Sequence, residues 1–286
     1  MNNSQKMNKP LMLTLAIALS AAVAGCGGSS GGGGGVSAAT NPGSVCSGSG
    51  CVNLGTAGNY VILDEAAITY TPVATVSSTV KITGNVGISP NTAASMQGFA
   101  LNLPAGSAYS TSTIVSGKVF SAGTAYAEPT PSNLVIAVAN KNTAYTAAAG
   151  MATAGGGLAG GTPGTACPGN GALGGLTLTP GVYTCSVALS IATGTNVTLS
   201  GAGVYVIKTT QGLSQSASTS VNLTNGALPQ NVFWQVAGGV SIGSSAHMEG
   251  VILSATNIAL VTSATVTGRL LAGTGVAMDS NTVTQP

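Results

Sequence analysis

The chain has 286 residues, of which 44% are hydrophobic and only 4% are charged, with a formal net charge of +2. This charge balance offers no basic patch for a nucleic-acid partner. The 43 glycines, together with abundant Ser and Thr, disfavour a helical bundle.

The N-terminus has the pattern of an export signal. Polar and basic residues precede an apolar stretch, and small residues then lead to Cys26. The pattern predicts a lipoprotein signal peptide over residues 1–25, a lipid on Cys26 and a Gly- and Ser-rich tether over residues 26–45. An ordinary signal peptide or a short membrane anchor is the alternative, although the apolar stretch is short for a membrane span.

This N-terminal pattern predicts an exported protein that is lipid-anchored to a membrane, with a partly secreted form as the alternative. Gly27 follows the predicted anchor, where an aspartate often retains lipoproteins at the inner membrane. We therefore expect the outer membrane or the cell surface.

Four further cysteines follow Cys26, namely Cys46, Cys51, Cys167 and Cys185. An even number in an exported chain favours disulfides. The pairs Cys46–Cys51 and Cys167–Cys185 close the shortest loops and are favoured on entropic grounds, while the other pairings and free buried thiols remain open. The spacing does not fit a zinc site, and we predict no metal site.

Residues 46–286 are predicted to form one mainly β domain, because short runs of Val, Ile, Leu and Thr alternate with Gly, Asn and Ser. One segment differs from this pattern. Pro131 suits a first helical turn and Thr130 its N-cap, which predicts one helix over about residues 131–151. Its apolar stripe is predicted from residues at helical spacing, namely Leu134, Val135, Val138, Tyr145 and Ala149.

The C-terminal half contains five similar blocks of three short strands each. The first strands are predicted at Val182–Cys185, Val204–Ile207, Val232–Gln235, Val251–Ser254 and Arg269–Ala272. The second strands begin at Leu189, Leu213, Val240, Ile258 and Val276, and the third strands follow near residues 197, 221, 248, 266 and 283. Three strands per repeated turn are typical of a β-helix, and residues 61–84 fit the same template. We expect the helix to leave this solenoid, lie along it and rejoin it.

Alternation within the second strands predicts which side chains point outward. Apolar residues such as Leu189 and Ile191 point inward, and the outward column is Ser190, Ser214, Ser241, Ala259 and Ala277. Small residues flank this column, and the candidate contacts among them are Ala192, Thr193, Ser216, Gly243, Ser244, Thr262 and Ser280. Because stacked coils lie about 4.8 Å apart, the result is a flat, weakly polar, regularly repeating face. Its neighbourhood carries a charge only at Asp279.

The titratable residues do not support an enzyme. Glycoside cleavage needs two opposed carboxyl groups, and the chain has only Asp64, Glu65, Glu128, Glu249 and Asp279. His247 has no nucleophilic partner evident in the sequence, and no phosphate-binding glycine motif opens a helix. We therefore predict no catalytic residue and no cofactor.

Several stretches resemble the microbial ice-binding protein family, in that family's order along the chain. They are Asn53–Leu63, Ile82–Pro90, Thr130–Leu134, Gly174–Tyr183, Asn231–Val236 and Gly268–Ala272. The resemblance covers nearly the whole domain and implies a discontinuous right-handed β-helix with one long α-helix packed alongside. It also implies an ice-binding surface on one flat β-face, although the family has no ice-site motif that can be carried over residue by residue.

The flat column and its flanks are then the expected ice-contact residues. Ice presents a planar, repeating array of oxygens, and methyl groups with hydroxyls on a rigid face can order water to match it. Each contact is weak, so number and rigidity must supply the affinity. We expect a monomer whose only membrane contact is the lipid on Cys26. The alternative is a cell-surface adhesin or glycan-binding module, for which Tyr109 and Tyr126 are the candidate sugar-stacking residues.

Overall fold

A computed structural model describes residues 51–72, 81–158 and 166–286. The predicted signal peptide and tether, Cys26 and Cys46 lie outside these ranges. Within them the helices are one α-helix, α1 (Thr130–Gly150), and 3₁₀ turns at Gly55–Asn59, Ala93–Ser95, Pro168–Gly171 and Pro229–Asn231.

The strands of the described ranges, in chain order, are β1 (Tyr60–Asp64), β2 (Ile68–Thr71), β3 (Ile82–Thr83), β4 (Asn85–Ile88), β5 (Met96–Gln97), β6 (Ser110–Ser112), β7 (Val115–Ser121), β8 (Ala154–Gly155), β9 (Thr177–Leu178), β10 (Gly181–Cys185), β11 (Leu189–Ile191), β12 (Val197–Ser200), β13 (Tyr205–Thr209), β14 (Leu213–Gln215), β15 (Val221–Thr224), β16 (Val232–Val236), β17 (Val240–Ile242), β18 (His247–Ser254), β19 (Asn257–Leu260), β20 (Thr265–Leu271), β21 (Gly275–Asp279) and β22 (Thr282–Thr284).

Except for β6 and β8, which pair antiparallel with β7 and β10, these strands stack in parallel into a solenoid with three faces. Face A runs through β10, β13, β16, the second halves of β18 and β20, β1 and β4. Face B is the seven-stranded sheet β11-β14-β17-β19-β21-β2-β5. Face C runs through β9, β12, β15, the first halves of β18 and β20, β22 and β3. The predicted fold class, a mainly β discontinuous β-helix with a helix alongside, is confirmed.

Two long strands, β18 and β20, turn the corner from face C to face A at glycines. Gly250 has a φ of +109°, which L side chains rarely adopt. A Cβ atom on Gly268 would lie 1.7 Å from the carbonyl oxygen of Gly250 on the neighbouring coil. Close stacking of the coils at this corner therefore requires glycine at both positions.

The first coil in sequence stacks on the last coil in sequence. Strand β1 pairs with β20, with Ile62 opposite Leu270, and β2 pairs with β21, with Ile68 opposite Val276. The predicted likeness of residues 61–84 to the C-terminal blocks is therefore correct. The chain builds one end of the solenoid first, crosses to the other end through α1, and winds back until its last coil meets the first.

Helix α1 has the length that this crossing requires. Its 21 residues span about 32 Å, close to the height of the coils stacked about 4.8 Å apart. The face buried against face A recurs every three or four residues and consists of Thr130, Leu134, Ala137, Lys141, Ala144 and Ala148. The alanines in this face let the helix axis approach the sheet closely.

Part of the predicted helix pattern is wrong. Val135, predicted to face the solenoid, is 61% exposed, while Val138 and Tyr145 are only partly buried. Thr130 is the first helical residue rather than the N-cap, and its hydroxyl donates a hydrogen bond to the Ala108 carbonyl oxygen at 2.5 Å. The buried positions include alanines and a lysine, which hydrophobicity alone does not select.

Two buried lysines attach the helix to the solenoid. The Lys141 ammonium lies 2.6 Å from a carboxylate oxygen of Glu65 and donates to the Ala272 carbonyl oxygen at 2.6 Å. Lys208 donates to the carbonyl oxygens of Ala149 and Met151 at the helix C-terminus, where a cation is favoured by the helix dipole. Burial lowers the pKa of Lys208.

A disulfide joins Cys167 and Cys185, whose Cα atoms are 4.8 Å apart. This is the pairing favoured from the sequence. Cys51 is also disulfide-bonded, and its predicted partner, Cys46, lies outside the described residues.

The predicted register of the second strands is correct, and that of the first strands is partly wrong. Val182 pairs with Val206, which pairs with Phe233, rather than with Val204 and Val232. Face A strands are buried on both sides, between the inner core and α1. Their apolar runs therefore lack the alternation that sets a register.

We expect Lys141→Met to lower the free energy of unfolding by about 2 kcal/mol, because it leaves the Glu65 carboxylate and the Ala272 carbonyl without their donor. Chemical denaturation followed by circular dichroism measures this loss. Asn142→Ala is the control, since the exposed Asn142 amide donates to the same carboxylate at 3.2 Å. Equal losses in both variants would show that the buried pair does not hold the helix.

Candidate functional site

Of the three faces, B is the one left both open and nearly uncharged. Face A is covered by α1, whose buried residues pack against Val206, Phe233 and Val251. Face C carries the His247 and Glu249 side chains at its centre. Face B therefore remains as the candidate binding surface.

The central outward column of face B forms an uninterrupted ladder. Its members pair in the order Ser190, Ser214, Ser241, Ala259, Ala277, Thr69 and Gln97. The first five are the column predicted from the sequence. Thr69 and Gln97 were missed, because their coils join this face only through the stacking of the first coil on the last.

The inward residues of these strands anchor the face. Leu189, Ile191, Val240 and Ile242 are each at most 1% exposed, as alternation predicts. Gln215 occupies an inward position that is apolar in the neighbouring coils. Its amide nitrogen donates to the carbonyl oxygens of Thr219 and His247, both at 3.0 Å, and so satisfies backbone groups at the turn towards face C.

One edge of the face is a shallow trough. Gly212 and Gly239 lie two residues before Ser214 and Ser241. They line a depression of about 360 Å³ that reaches the central column, together with Ala188, Ser214, Ser241, Asn257 and Ala259. A Cβ atom on Gly212 would lie 2.9 Å from the Gly239 carbonyl oxygen. The glycines thus keep this edge low and bring successive coils close together.

The other edge departs in part from the prediction. Ala192 and Thr193 are exposed, and Ser216, Gly243 and Ser244 are partly exposed, as a surface position requires. Ser280, predicted as a contact, is wrong because it is only 4% exposed. The outward position of the β19 coil is the exposed Val261, and Thr262 lies one residue further on, in the turn. The last coil turns one residue earlier than its neighbour, since Val283 follows Ala277 by 6 residues whereas its partner Val266 follows Ala259 by 7.

Asp279 lies on this edge, directly opposite Thr71. One carboxylate oxygen accepts a hydrogen bond from the Thr262 hydroxyl, and the other is buried without a partner. Burial raises the pKa of Tyr70, and the negative charge of Asp279 raises it further, while a hydrogen bond with the Ser280 side chain lowers it. Because it donates to Asp279, the Thr262 hydroxyl is already hydrogen-bonded within the protein.

Face C contains rows of threonines, including Thr265, Thr267, Thr282 and Thr284. They are interrupted by a charged network. His247 hydrogen-bonds the Thr265 hydroxyl and Glu249, both at 2.8 Å. The sequence showed no nucleophilic partner for His247, and its hydroxyl neighbour in the structure, Thr265, comes from the next coil. The His247, Glu249 and Thr265 side chains lie on face C, and the outward residues next to them are the threonines Thr267, Thr282 and Thr284.

The two tyrosines considered for sugar stacking are engaged within the protein. Tyr126 is 4% exposed and shares a hydrogen bond of 2.6 Å with Ser110. Tyr109 packs against Phe120 with ring centroids 6.3 Å apart, and the Lys118 ammonium lies 4.1 Å from its ring centroid. Tyr126 is therefore too buried to stack on a sugar, and the Lys118 ammonium lies over one face of the Tyr109 ring.

Within residues 51–72, 81–158 and 166–286, no three His, Cys, Asp or Glu side chains are grouped so that they could hold a metal ion.

No helix in the described part of the chain is both long and apolar enough to cross a membrane.

Comparison with known proteins gives one consistent result. The family described as "Ice-binding-like" matches residues 62–284. An ice-binding protein of Flammulina populicola is 33% identical over 243 residues, covering 85% of this chain and 92% of that protein. One from Flavobacterium frigoris is 37% identical over 238 residues, covering 82% and 76%. The crystal structure of an ice-binding protein from an Arctic yeast superposes with a TM-score of 0.72 at 35% identity, covering 82% of this chain and 94% of that one.

Gly243 supplies a stability prediction for this surface. A Cβ atom there would lie 2.5 Å from the Ala217 backbone nitrogen, so we expect Gly243→Ala to cost about 2 kcal/mol of folding free energy. The control is Gly275→Ala on the same face, where the nearest atom to a new Cβ is 3.6 Å away. Thermal unfolding measures both, and equal stability of the two variants would contradict the close stacking.

Proposed function

This chain belongs to the ice-binding-like family, and from that premise we propose that its domain adsorbs to ice through face B and slows ice growth or recrystallisation. The contact surface would run from Ser190 to Ala277 along the central column, with Ala192, Thr193, Ser216 and Ser244 beside it. The protein is not an enzyme.

The observation that carries this proposal is the unbroken register of face B. Parallel hydrogen bonding holds neighbouring side chains of the column about 4.8 Å apart, so five coils offer a row about 19 Å long. A repeating planar ligand is the chemistry that such a row can match. A small soluble ligand would need a concave site with converging polar groups instead.

The side chains of the face divide into two kinds. Ser190, Ser214 and Ser241 present hydroxyls in one half, whereas Ala259 and Val261 present methyl groups in the other. Hydroxyls can anchor ordered water by hydrogen bonds, and methyl groups leave the water above them to bond with itself. Since these side chains are short, little rotamer entropy is lost when they are immobilised at a solid surface.

Ser241→Tyr tests the assignment of the face. Ser241 is exposed on β17, at the middle of the column, and a tyrosine there would hold the ice lattice away from the neighbouring coils. We expect the ice-bound fraction of a fluorescent fusion of the full domain on a growing ice crystal to fall at least about tenfold, since rigid planar contact is lost along the row. Inhibition of grain coarsening in a frozen sucrose film should fall in parallel.

Asn222→Tyr is the matched control, because Asn222 is exposed at the same kind of outward position on β15 of face C. It should leave ice affinity unchanged. Loss of affinity in Asn222→Tyr alone would move the site to face C. Unchanged affinity in both variants would contradict a site on either face, and exclusion of the unsubstituted protein from ice would reject ice binding itself. Circular dichroism checks the fold of each variant.

Presentation at the cell surface is the second part of the proposal, with Cys26 as the lipidated residue. What supports it is the export pattern of the N-terminal residues, which ends at Cys26.

Cys26→Ser tests the anchor. In a bacterial host that processes lipoproteins, we expect the unsubstituted chain in the membrane fraction and the variant in the soluble or secreted fraction, because a lipid is the proposed attachment. Cell fractionation with incorporation of a labelled fatty acid measures both. An unlabelled chain, or a variant that stays in the membrane fraction, would contradict lipidation at Cys26.

A further inference from the structure

Asp279 is the one charged side chain in the outward columns of face B, among the residues that the structure describes. It follows Ala277 by two positions on β21, and its counterparts on other coils are small or apolar, such as Ser216, Gly243 and Val261. A carboxylate on a surface whose other outward side chains are uncharged needs an explanation.

The position of Asp279 along the solenoid divides face B. On one side lie the coils of β11, β14, β17 and β19, and on the other lie the coils of β2 and β5. Thr71 pairs directly with Asp279, and Thr69 continues the central column beyond Ala277. The outward residues of the β2 coil, Thr69 and Thr71, are small and uncharged like those of the other coils. Their composition alone would therefore let the flat surface continue over this coil.

The carboxylate is held firmly in place. It accepts the Thr262 hydroxyl with one oxygen and buries the other without a partner, and the Asp279 backbone nitrogen donates to the Asn281 side-chain oxygen. A charge in such surroundings is costly. An asparagine could accept the same bond from Thr262 at a lower desolvation cost, so local stability does not account for the acid.

We propose that Asp279 sets the boundary of the ice-contact surface, an inference that rests on ice binding through face B. Its negative charge ends the contact at β21 and keeps the β2 and β5 coils out of it. Asp279 is therefore a specificity-determining residue that fixes how many coils meet the ice.

The physical reason is the mismatch between an ion and an ice lattice. A fixed carboxylate orients the nearest water molecules towards itself, whereas ice requires each water to keep four neighbours in tetrahedral order. Stripping the charge of its water would cost more than the weak contacts of the next coil return. Ice adsorbed on the coils of β11, β14, β17, β19 and β21 therefore gains nothing by extending past Asp279.

Asp279→Asn tests the boundary by removing the charge while keeping the size and the acceptor for Thr262. We expect the concentration needed for half-maximal inhibition of grain coarsening to fall by about threefold, because the weak contacts of the β2 coil are added. Glu249→Gln is the matched control. Glu249 also has one bonded oxygen and one buried oxygen without a partner, but it lies on face C.

Thr69→Tyr shows which coils are in contact. In the unsubstituted background it should leave ice affinity unchanged, since the β2 coil lies outside the contact. In the Asp279→Asn background it should cancel the threefold gain. Ice-bound fluorescence of full-domain fusions, with circular dichroism for the fold, measures all four combinations.

The outcomes separate the two proposals. Absence of ice binding by the unsubstituted domain would reject the proposed function. Ice binding that Thr69→Tyr weakens in the unsubstituted background would overturn the boundary alone, because the contact would already pass Asp279. Ice binding that Asp279→Asn leaves unchanged or weakens, or that Glu249→Gln raises equally, would also overturn it.

Discussion

In-register stacking of parallel coils is the constraint on which the rest of this structure depends. Each coil repeats the backbone positions of the one below, so a residue type that suits one level must suit its neighbours. Inside, this gives ladders of Val, Ile and Leu. At the corner between faces C and A it demands glycine, because a Cβ on Gly268 would lie 1.7 Å from the neighbouring carbonyl oxygen. Outside, a small side chain on one coil lies directly above a small side chain on the next, so these residues form a column.

The discontinuity in the stacking explains the helix. Because the first coil pairs with the last, the chain must cross the full height of the solenoid once, and α1 has the length to do so. The helix covers face A and its buried lysines secure it there. With face A occupied and face C carrying the His247–Glu249 pair, the path of the chain itself leaves face B as the open surface.

The sequence predicts best where one side of a strand meets water. The second strands alternate cleanly, so Leu189, Leu213, Val240, Ile258 and Val276 were aligned in their true register. Strands buried on both sides, such as β13, give no such signal and were misaligned. Ser280 was misplaced because the last coil is one residue shorter between faces B and C than the coil it pairs with, a change that composition does not reveal. Thr69 was missed because its place in the column depends on pairing across 208 residues of chain, between Thr69 and Ala277.

A surface that binds a repeating solid needs a defined extent as well as a regular repeat. Stacking extends any column for as long as coils are added, and nothing in the geometry of face B ends the row at a particular strand. Only a change of chemistry at one level can do so. The column passes from Ser241 through Ala259 and Ala277 without interruption; the change comes beside it, where Asp279 stands opposite Thr71. In a chain with so few charges, the placement of one carboxylate can therefore define the extent of an otherwise uniform face.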